Sequence, residues 1–193
     1  MNTKLLFGML LLWTVLACSS TPQQESISVK NYHDLTDVST VDTLLLVFDG
    51  EEGEAGTTCG YINQAGDTII PTGQYEYCFM DAVTTYAIVM EEGGDAFAID
   101  RQGNRLWDIY WYDNGPDYVE EGLFRIERDG KIGYADTSGK VVIPAQYACA
   151  SPFAEGRARV TYDCTLEPDE HGEHQQAISD SWFFIDRMGN KVE

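Results

Sequence analysis

The sequence predicts an all-β domain: antiparallel three-stranded repeats, about four units, some degenerate, set in an open twisted array. Three observations carry that prediction. A turn glycine recurs at Gly66, Gly103, Gly139 and Gly189, with spacings in the thirties before the last interval widens. A common phrase precedes each one: Gly60-Tyr61-Ile62-Asn63, Phe97-Ala98-Ile99-Asp100, Gly133-Tyr134-Ala135-Asp136 and Phe183-Phe184-Ile185-Asp186. An apolar run follows, as Thr68-Ile69-Ile70-Pro71 and Val141-Val142-Ile143-Pro144, with Arg105-Leu106-Trp107-Asp108 and Lys191-Val192 as divergent versions. Self-similarity at such a period marks a fold of stacked or radial units. The alternatives are a closed propeller-like ring and a single sandwich or barrel that pairs Leu44–Phe48 with the last hairpin.

Taken in order, the chain opens with Lys4 and an apolar run over residues 5–17. A spanning helix needs about 20 residues, so this run reads as a secretory leader. It ends Val15-Leu16-Ala17-Cys18-Ser19, which resembles the lipobox of bacterial lipoproteins, in which the cysteine is lipidated and becomes the new terminus. Residues 1–17 are therefore expected to be removed. Residues 18–40 would be the lipidated Cys18 and a flexible tether, polar and Pro-containing over 19–28. Residues 41–193 would be the folded domain. Ser19 is not the aspartate of an inner-membrane retention signal, so an outer-membrane anchor is expected.

Within a unit, the first strand alternates, as in Arg157-Ala158-Arg159-Val160, apolar on one face and charged on the other. Asp or Asn at the end of the second strand, with Gly three residues on, fits a type I turn closed by a left-handed glycine. Asn63, Asp100, Asp136 and Asp186 are thus turn residues that bond the backbone ahead of them, not an array of carboxylates for chemistry. Pro71 and Pro144 are expected to end the third strand, because proline gives no N–H to a ladder.

These residues resemble the WG repeat. Trp182-Phe183-Phe184-Ile185-Asp186 with Gly189-Asn190-Lys191, the run 132–136 with Gly139-Lys140-Val141-Val142-Ile143-Pro144, and Ser151-Pro152-Phe153-Ala154-Glu155-Gly156 carry the likeness. It spans about residues 44–193, best in the third copy and poorest in the second. The tryptophan that names the repeat is replaced by Cys59, Ala96 and Ile132, and only Trp182 keeps it. The resemblance implies β structure and an interaction role, and it implies no reaction.

Composition narrows the partners. Thirty-two acids against 12 basic residues leave a formal charge of −20, which repels phosphate backbones and speaks against nucleic acid. Apart from Cys18, four cysteines remain. In an exported chain they permit disulfides, and the local pairs Cys59 with Cys78 and Cys149 with Cys164 are the preferred of three connectivities.

Three departures from the repeat are candidate sites. A long insertion between Gly156 and Phe183 carries His171 and His174 among acids, a weak metal-binding pattern in what reads as an irregular acidic loop. In Trp107–Asp113, Trp107 and Trp111 fall at core registers of the third copy, Ile143 and Tyr147. Strand alternation would then point Tyr110 and Tyr112 outward as a pair, a platform for a glycan or peptide. The loop 49–58 holds Glu51, Glu52 and Glu54 but lacks the alternating oxygen ligands of a calcium loop. There is no G-x-S-x-G elbow, and Gly130-Lys131 lacks the rest of a phosphate loop. His33 stands alone and reads as solvated. The expectation is a lipid-anchored, non-enzymatic module at the bacterial cell envelope, without cofactor, that binds a protein, peptide or glycan. The alternative is an exported hydrolase or metal-dependent enzyme using His171 and His174.

Overall fold

The computed structural model describes residues 30–36, 42–112, 115–168 and 175–193, and every regular element among them is a β-strand. The first unit is β1 (Leu44–Phe48), β2 (Cys59–Ile62) and β3 (Thr68–Tyr75), followed by the short β4 (Tyr77–Cys78) and β5 (Ala82–Val83). The second is β6 (Tyr86–Met90), β7 (Ala96–Asp100) and β8 (Arg105–Ile109), followed by β9 (Trp111–Tyr112) and β10 (Gly115–Pro116). The third is β11 (Leu123–Arg128), β12 (Lys131–Asp136) and β13 (Val141–Tyr147), followed by β14 (Cys149–Ala150). The fourth begins with β15 (Arg157–Thr161), is interrupted by β16 (Thr165–Pro168) and β17 (Gln175–Ile178), and resumes with β18 (Phe183–Asp186) and β19 (Lys191–Val192).

Each unit is an antiparallel meander, and the units open into sheets of order β3-β2-β1-β5, β13-β12-β11-β8-β7-β6-β4 and β14-β15-β18-β19. None of the sheets closes into a barrel. The strand Leu44–Phe48 pairs with β2 and β5, not with the last hairpin, so the sandwich alternative is excluded. Both neighbours lie within the first unit or the connector that follows it, as a stacked repeat requires.

All four turns share one geometry. The side-chain oxygen of Asn63 accepts from the N–H groups of Ala65 and Asp67 at 2.9 and 2.8 Å. Asp100 does the same for Gln102 and Asn104, Asp136 for Ser138 and Lys140, and Asp186 for Met188 and Asn190. In each, the glycine amide returns to the carbonyl of the Asn or Asp. Two backbone donors, two and four residues on, captured by one oxygen explain why the position takes only Asn or Asp.

The third strand does not end at its proline. β3 runs through Pro71 and β13 through Pro144, with the pairing slipping between Cys59↔Tyr75 and Tyr61↔Ile70, and between Ile132↔Tyr147 and Tyr134↔Ile143. Proline is tolerated because it lies at a bulge on a strand with no neighbour on its far side. The bulge presses the backbone onto the glycine opposite. A Cβ on Gly133 would lie 2.6 Å from the Ala145 nitrogen and the Ile143 oxygen, and one on Gly60 would lie 2.4 Å from the Ile70 oxygen. Beyond the bulge both strands bend. β4 then pairs with β6, and β14 pairs with β15, each crossing to the next unit.

The second unit lacks both devices, with Phe97 for the glycine and Asp108 for the proline. β8 pairs Phe97↔Asp108 and Ala98↔Trp107 in step, with the slip confined to the step from Ala98 to Ile99 beside the turn, and accepts β11 on its free edge through Ile126↔Ile109 and Glu127↔Asp108. Units two and three therefore fuse into one sheet.

Three apolar clusters hold the array. One joins the first unit to Ala87, Val89, Phe97 and Ile99. Another joins the third and fourth units around Tyr134, Tyr147, Phe153 and Ile185. The third surrounds Trp107, Phe124 and Ile126. Tyr61 and Tyr134 are fully buried, and their hydroxyls donate to the carbonyls of Met80 and Ser151 at 2.9 and 2.8 Å. Burial pushes both phenols well above their usual pKa.

Residues 30–36 belong to the fold, which corrects the expected tether over 18–40. Leu35 is buried in the third cluster, and the His33 amide donates to the Arg105 carbonyl at 2.8 Å. Arg128 then clamps the segment, giving hydrogen bonds to the His33 carbonyl and the Asp34 carboxylate. These contacts are far apart in sequence and leave no periodic trace in so short a stretch.

The structure joins Cys59 to Cys78 and Cys149 to Cys164, each pair with Cα atoms 6.1 Å apart. The first bond ties β2 to β4, and the second ties β14 to the foot of the inserted hairpin β16–β17.

Candidate binding cleft and aromatic ridge

The site forms where the repeat pattern fails. β8 stops at Ile109, and the chain departs through Tyr110 into the separate ribbon of β9 and β10. Both ends of this excursion are pinned from β11. Arg125 Nε and Nη2 donate to the two oxygens of Asp117 at 2.9 and 2.6 Å, and its Nη1 donates to the Ala150 carbonyl at 3.0 Å. The Asp117 amide in turn donates to the Tyr110 carbonyl at 3.0 Å. This ion pair is almost wholly buried, with side-chain exposures of 5% and 2%. The Arg125 guanidinium also lies 4.1 Å from the ring centre of Tyr110 and 5.3 Å from that of Tyr112.

The expected orientations of Tyr110 and Trp111 are therefore overturned, while Tyr112 points outward as expected. Trp111 is not core; it is 48% exposed, beside Tyr112 at 49%. Tyr110 is half-buried against the cluster of units three and four. Alternation holds only along a continuous strand, and the break after Ile109 resets it. The outward pair is Trp111 and Tyr112.

Other connectors extend that pair into a ridge. The Phe79 ring meets Trp111 with centres 6.4 Å apart, and Tyr77 meets Phe79 at 4.9 Å. On the other side Tyr118 meets Tyr112 at 5.8 Å. All five side chains are exposed. Tyr77, Phe79 and Tyr118 escape sequence reasoning because they lie in linkers between units. The only signal was their excess over what the repeat needs.

Below the ridge opens a cleft of about 810 Å³, lined by Trp111, Tyr112, Asp95, Asp108, Glu127 and Lys30 among others, with Leu166 and Gln175 of the inserted hairpin on its rim. Asp108 accepts from Lys30 Nζ at 2.7 Å and from the Tyr32 hydroxyl at 2.8 Å, and pairs closely with Arg105. Desolvation pushes the Asp108 carboxyl up, but these three donors outweigh it and hold it below the usual carboxylate value. Glu127 goes the other way: burial, then the facing charge of Asp108, raise it, with Lys30 offsetting only in part. The Tyr32 phenol, partly buried beside Asp108 and Asp129, is pushed up to about 12.

The other candidates fare differently. The carboxylate of Asp49 binds both the amide and the hydroxyl of Thr58, closing the acidic loop on itself. Among the described residues no three metal-ligating side chains converge. The His33 side chain is exposed while its backbone docks. The insertion is not the irregular loop expected, at least at its base, where β16 and β17 pair from Thr165↔Ile178 to Pro168↔Gln175. Cys18, Asp113, His171 and His174 lie outside the described residues.

Comparison with known proteins agrees with this anatomy. Residues 132–163 match the family described as WG containing repeat, and they run from β12 through β13 and β14 to the end of β15. That stretch includes the glycine, the bulged proline and the crossing to the next unit. The chain thus carries a WG-type β repeat. No curated protein and no solved structure matches it.

Proposed function

We propose that the chain is a bacterial envelope lipoprotein, lipidated at Cys18 and anchored in the outer membrane, that displays a non-enzymatic interaction module. A WG-type β repeat suggests a non-catalytic scaffold, and the three turn carboxylates, Asp100, Asp136 and Asp186, are consumed by backbone hydrogen bonds rather than facing a substrate. The observation that carries the reading is the exposed aromatic ridge above the cleft. Rigid aromatic faces supply contact area at small entropic cost, and here they rise from connectors between packed units, where a scaffold presents recognition surfaces.

Expression of the full chain with its own leader tests both halves. Cys18→Ala is expected to move the protein from the membrane to the soluble fraction with its melting temperature unchanged. Trp111→Ala/Tyr112→Ala is expected to abolish capture of envelope protein, peptide or glycan while the fold persists. Retention of capture by that double variant would refute the ridge as the binding surface.

A further inference from the structure

We propose that the cleft receives a lysine or arginine side chain of a partner polypeptide, whose neighbouring residues lie along the aromatic ridge. The inference rests on the reading of the ridge as a binding surface and adds the chemistry of the occupant.

Charge supplies the first argument. Three carboxylates, Asp95, Asp108 and Glu127, line the cleft, and two cations pair with them, Lys30 with Asp95 and Asp108 and Arg105 with Asp108, which leaves an excess of negative charge. Lys30 reaches Asp108 at 2.7 Å and Asp95 at 3.6 Å, so these acids already hold one cation of the kind proposed. The Glu127 carboxylate, half-buried on β11, makes no side-chain hydrogen bond or ion pair among the described residues, and the charge of Lys30 offsets its burial only in part. A partly desolvated carboxylate without a partner is costly, and an incoming cation relieves that cost where a neutral group does not.

The aromatic rim supplies the second. Trp111 presents an exposed indole at the mouth, and a cation over an indole face is attracted by its quadrupole. The protein repeatedly seats its own cations this way: Arg105 lies 3.7 Å from the Phe97 ring centre, Arg159 4.3 Å from that of Trp182, and Arg157 4.6 Å from that of Phe184.

Extent supplies the third. The ridge runs from Tyr77 through Phe79 and Trp111 to Tyr112 and Tyr118, well beyond the reach of one side chain, so a chain-like ligand fits and a small free amine does not. A neutral glycan would also stack on it but would leave Glu127 uncompensated. The overall charge of −20 steers basic polypeptides toward the surface and repels acidic ones.

The test is calorimetric titration of the purified full chain with oligolysine and oligoarginine, a Gly/Ser peptide of equal length, and a chitin oligosaccharide. The basic peptides are expected to bind, more weakly as salt rises, and the other two are not. Glu127→Gln should weaken binding roughly tenfold and Trp111→Ala about fivefold. Glu54→Gln, which removes the same charge from the acidic loop, should change it little. Equal loss in Glu127→Gln and Glu54→Gln would reveal attraction to bulk charge and overturn the inference, as would failure of both basic peptides to bind. Binding of the chitin oligosaccharide alone, dependent on Trp111, would also overturn it while leaving the ridge as the binding surface.

Discussion

The indole nitrogen of Trp107, in the second unit, donates to the carbonyl of Gly139, in the turn of the third, at 3.2 Å. Around that bond Tyr86 lies 5.5 Å from the Trp107 ring centre, and Phe124 lies 5.3 Å from it. The turn of the third repeat is thus seated on Tyr86 and Trp107 of its predecessor. The fused sheet is held by this seat together with the short β8–β11 ladder.

Substitution at Gly139 should show the value of that seat. Gly139 and Gly53 share nearly the same left-handed backbone, with φ of +86° and +83°, so alanine strains both by on the order of 1–3 kcal/mol. At Gly53 a Cβ meets open space, whereas at Gly139 it falls 2.4 Å from Cδ1 of Tyr86. The Tyr86 ring is packed and cannot swing aside cheaply. Gly139→Ala is expected to lose about 1–3 kcal/mol more than Gly53→Ala in denaturant unfolding. Equal losses would show that Tyr86 yields freely.

Breaking the clamp at Arg125 should cost more. Arg125→Ala leaves Asp117 buried and uncompensated, an expected loss of about 3–5 kcal/mol. Arg125→Met/Asp117→Leu removes both charges and should be clearly milder than either single change. A double-mutant cycle by chemical denaturation gives the comparison.

The two cleft acids should oppose each other in pH dependence. The folded-state pKa of Asp108 is depressed, so its stabilisation is present above the unfolded value and lost as pH falls through the folded one. Asp108→Asn should therefore lower the melting temperature at neutral pH, and the gap should close on acidification below about pH 4. Glu127 is raised, so its charged form burdens the folded state once pH exceeds its folded value. Glu127→Gln should melt higher than the parent at neutral pH and converge with it below about pH 4. Parallel melting curves across that range would contradict both assignments.

The second disulfide should govern the inserted hairpin. Cys149 and Cys164 are 15 residues apart, and removing such a link costs about 3 kcal/mol. In Cys149→Ala/Cys164→Ala, limited proteolysis is expected to cut first between Thr165 and Ile178, while the cluster around Trp107 stays protected.

Much of this architecture is legible because its causes are local. The turns at Asn63, Asp100, Asp136 and Asp186 each depend on five consecutive residues, so the spacing of Asp or Asn and Gly is enough to find them. The bulge opposite Gly133 is also written in sequence, as the pairing of a glycine with a later proline, but knowing that proline bends rather than ends the strand needs the free edge beside it. The site was only half visible. Trp107–Asp113 stands out as aromatic, yet the exposure of Trp111 depends on the clamp from Arg125 and Asp117, which no periodicity reveals. Tyr77, Phe79 and Tyr118 meet this segment only through the stacking of units, and Glu127 faces Asp108 only because β11 joins β8.

The turn glycines also give the array a polarity. Gly139 of the third unit packs against Tyr86 of the second, and Gly189 of the fourth against Ile143 of the third, where an added Cβ would lie 3.3 Å from Cγ2. In both cases the later turn lands on residues that come earlier in the chain. A chain that emerges N-terminus first, as in synthesis, presents these two landing places before the turns that rest on them. Emergence in the opposite order would leave both turns waiting for their seats.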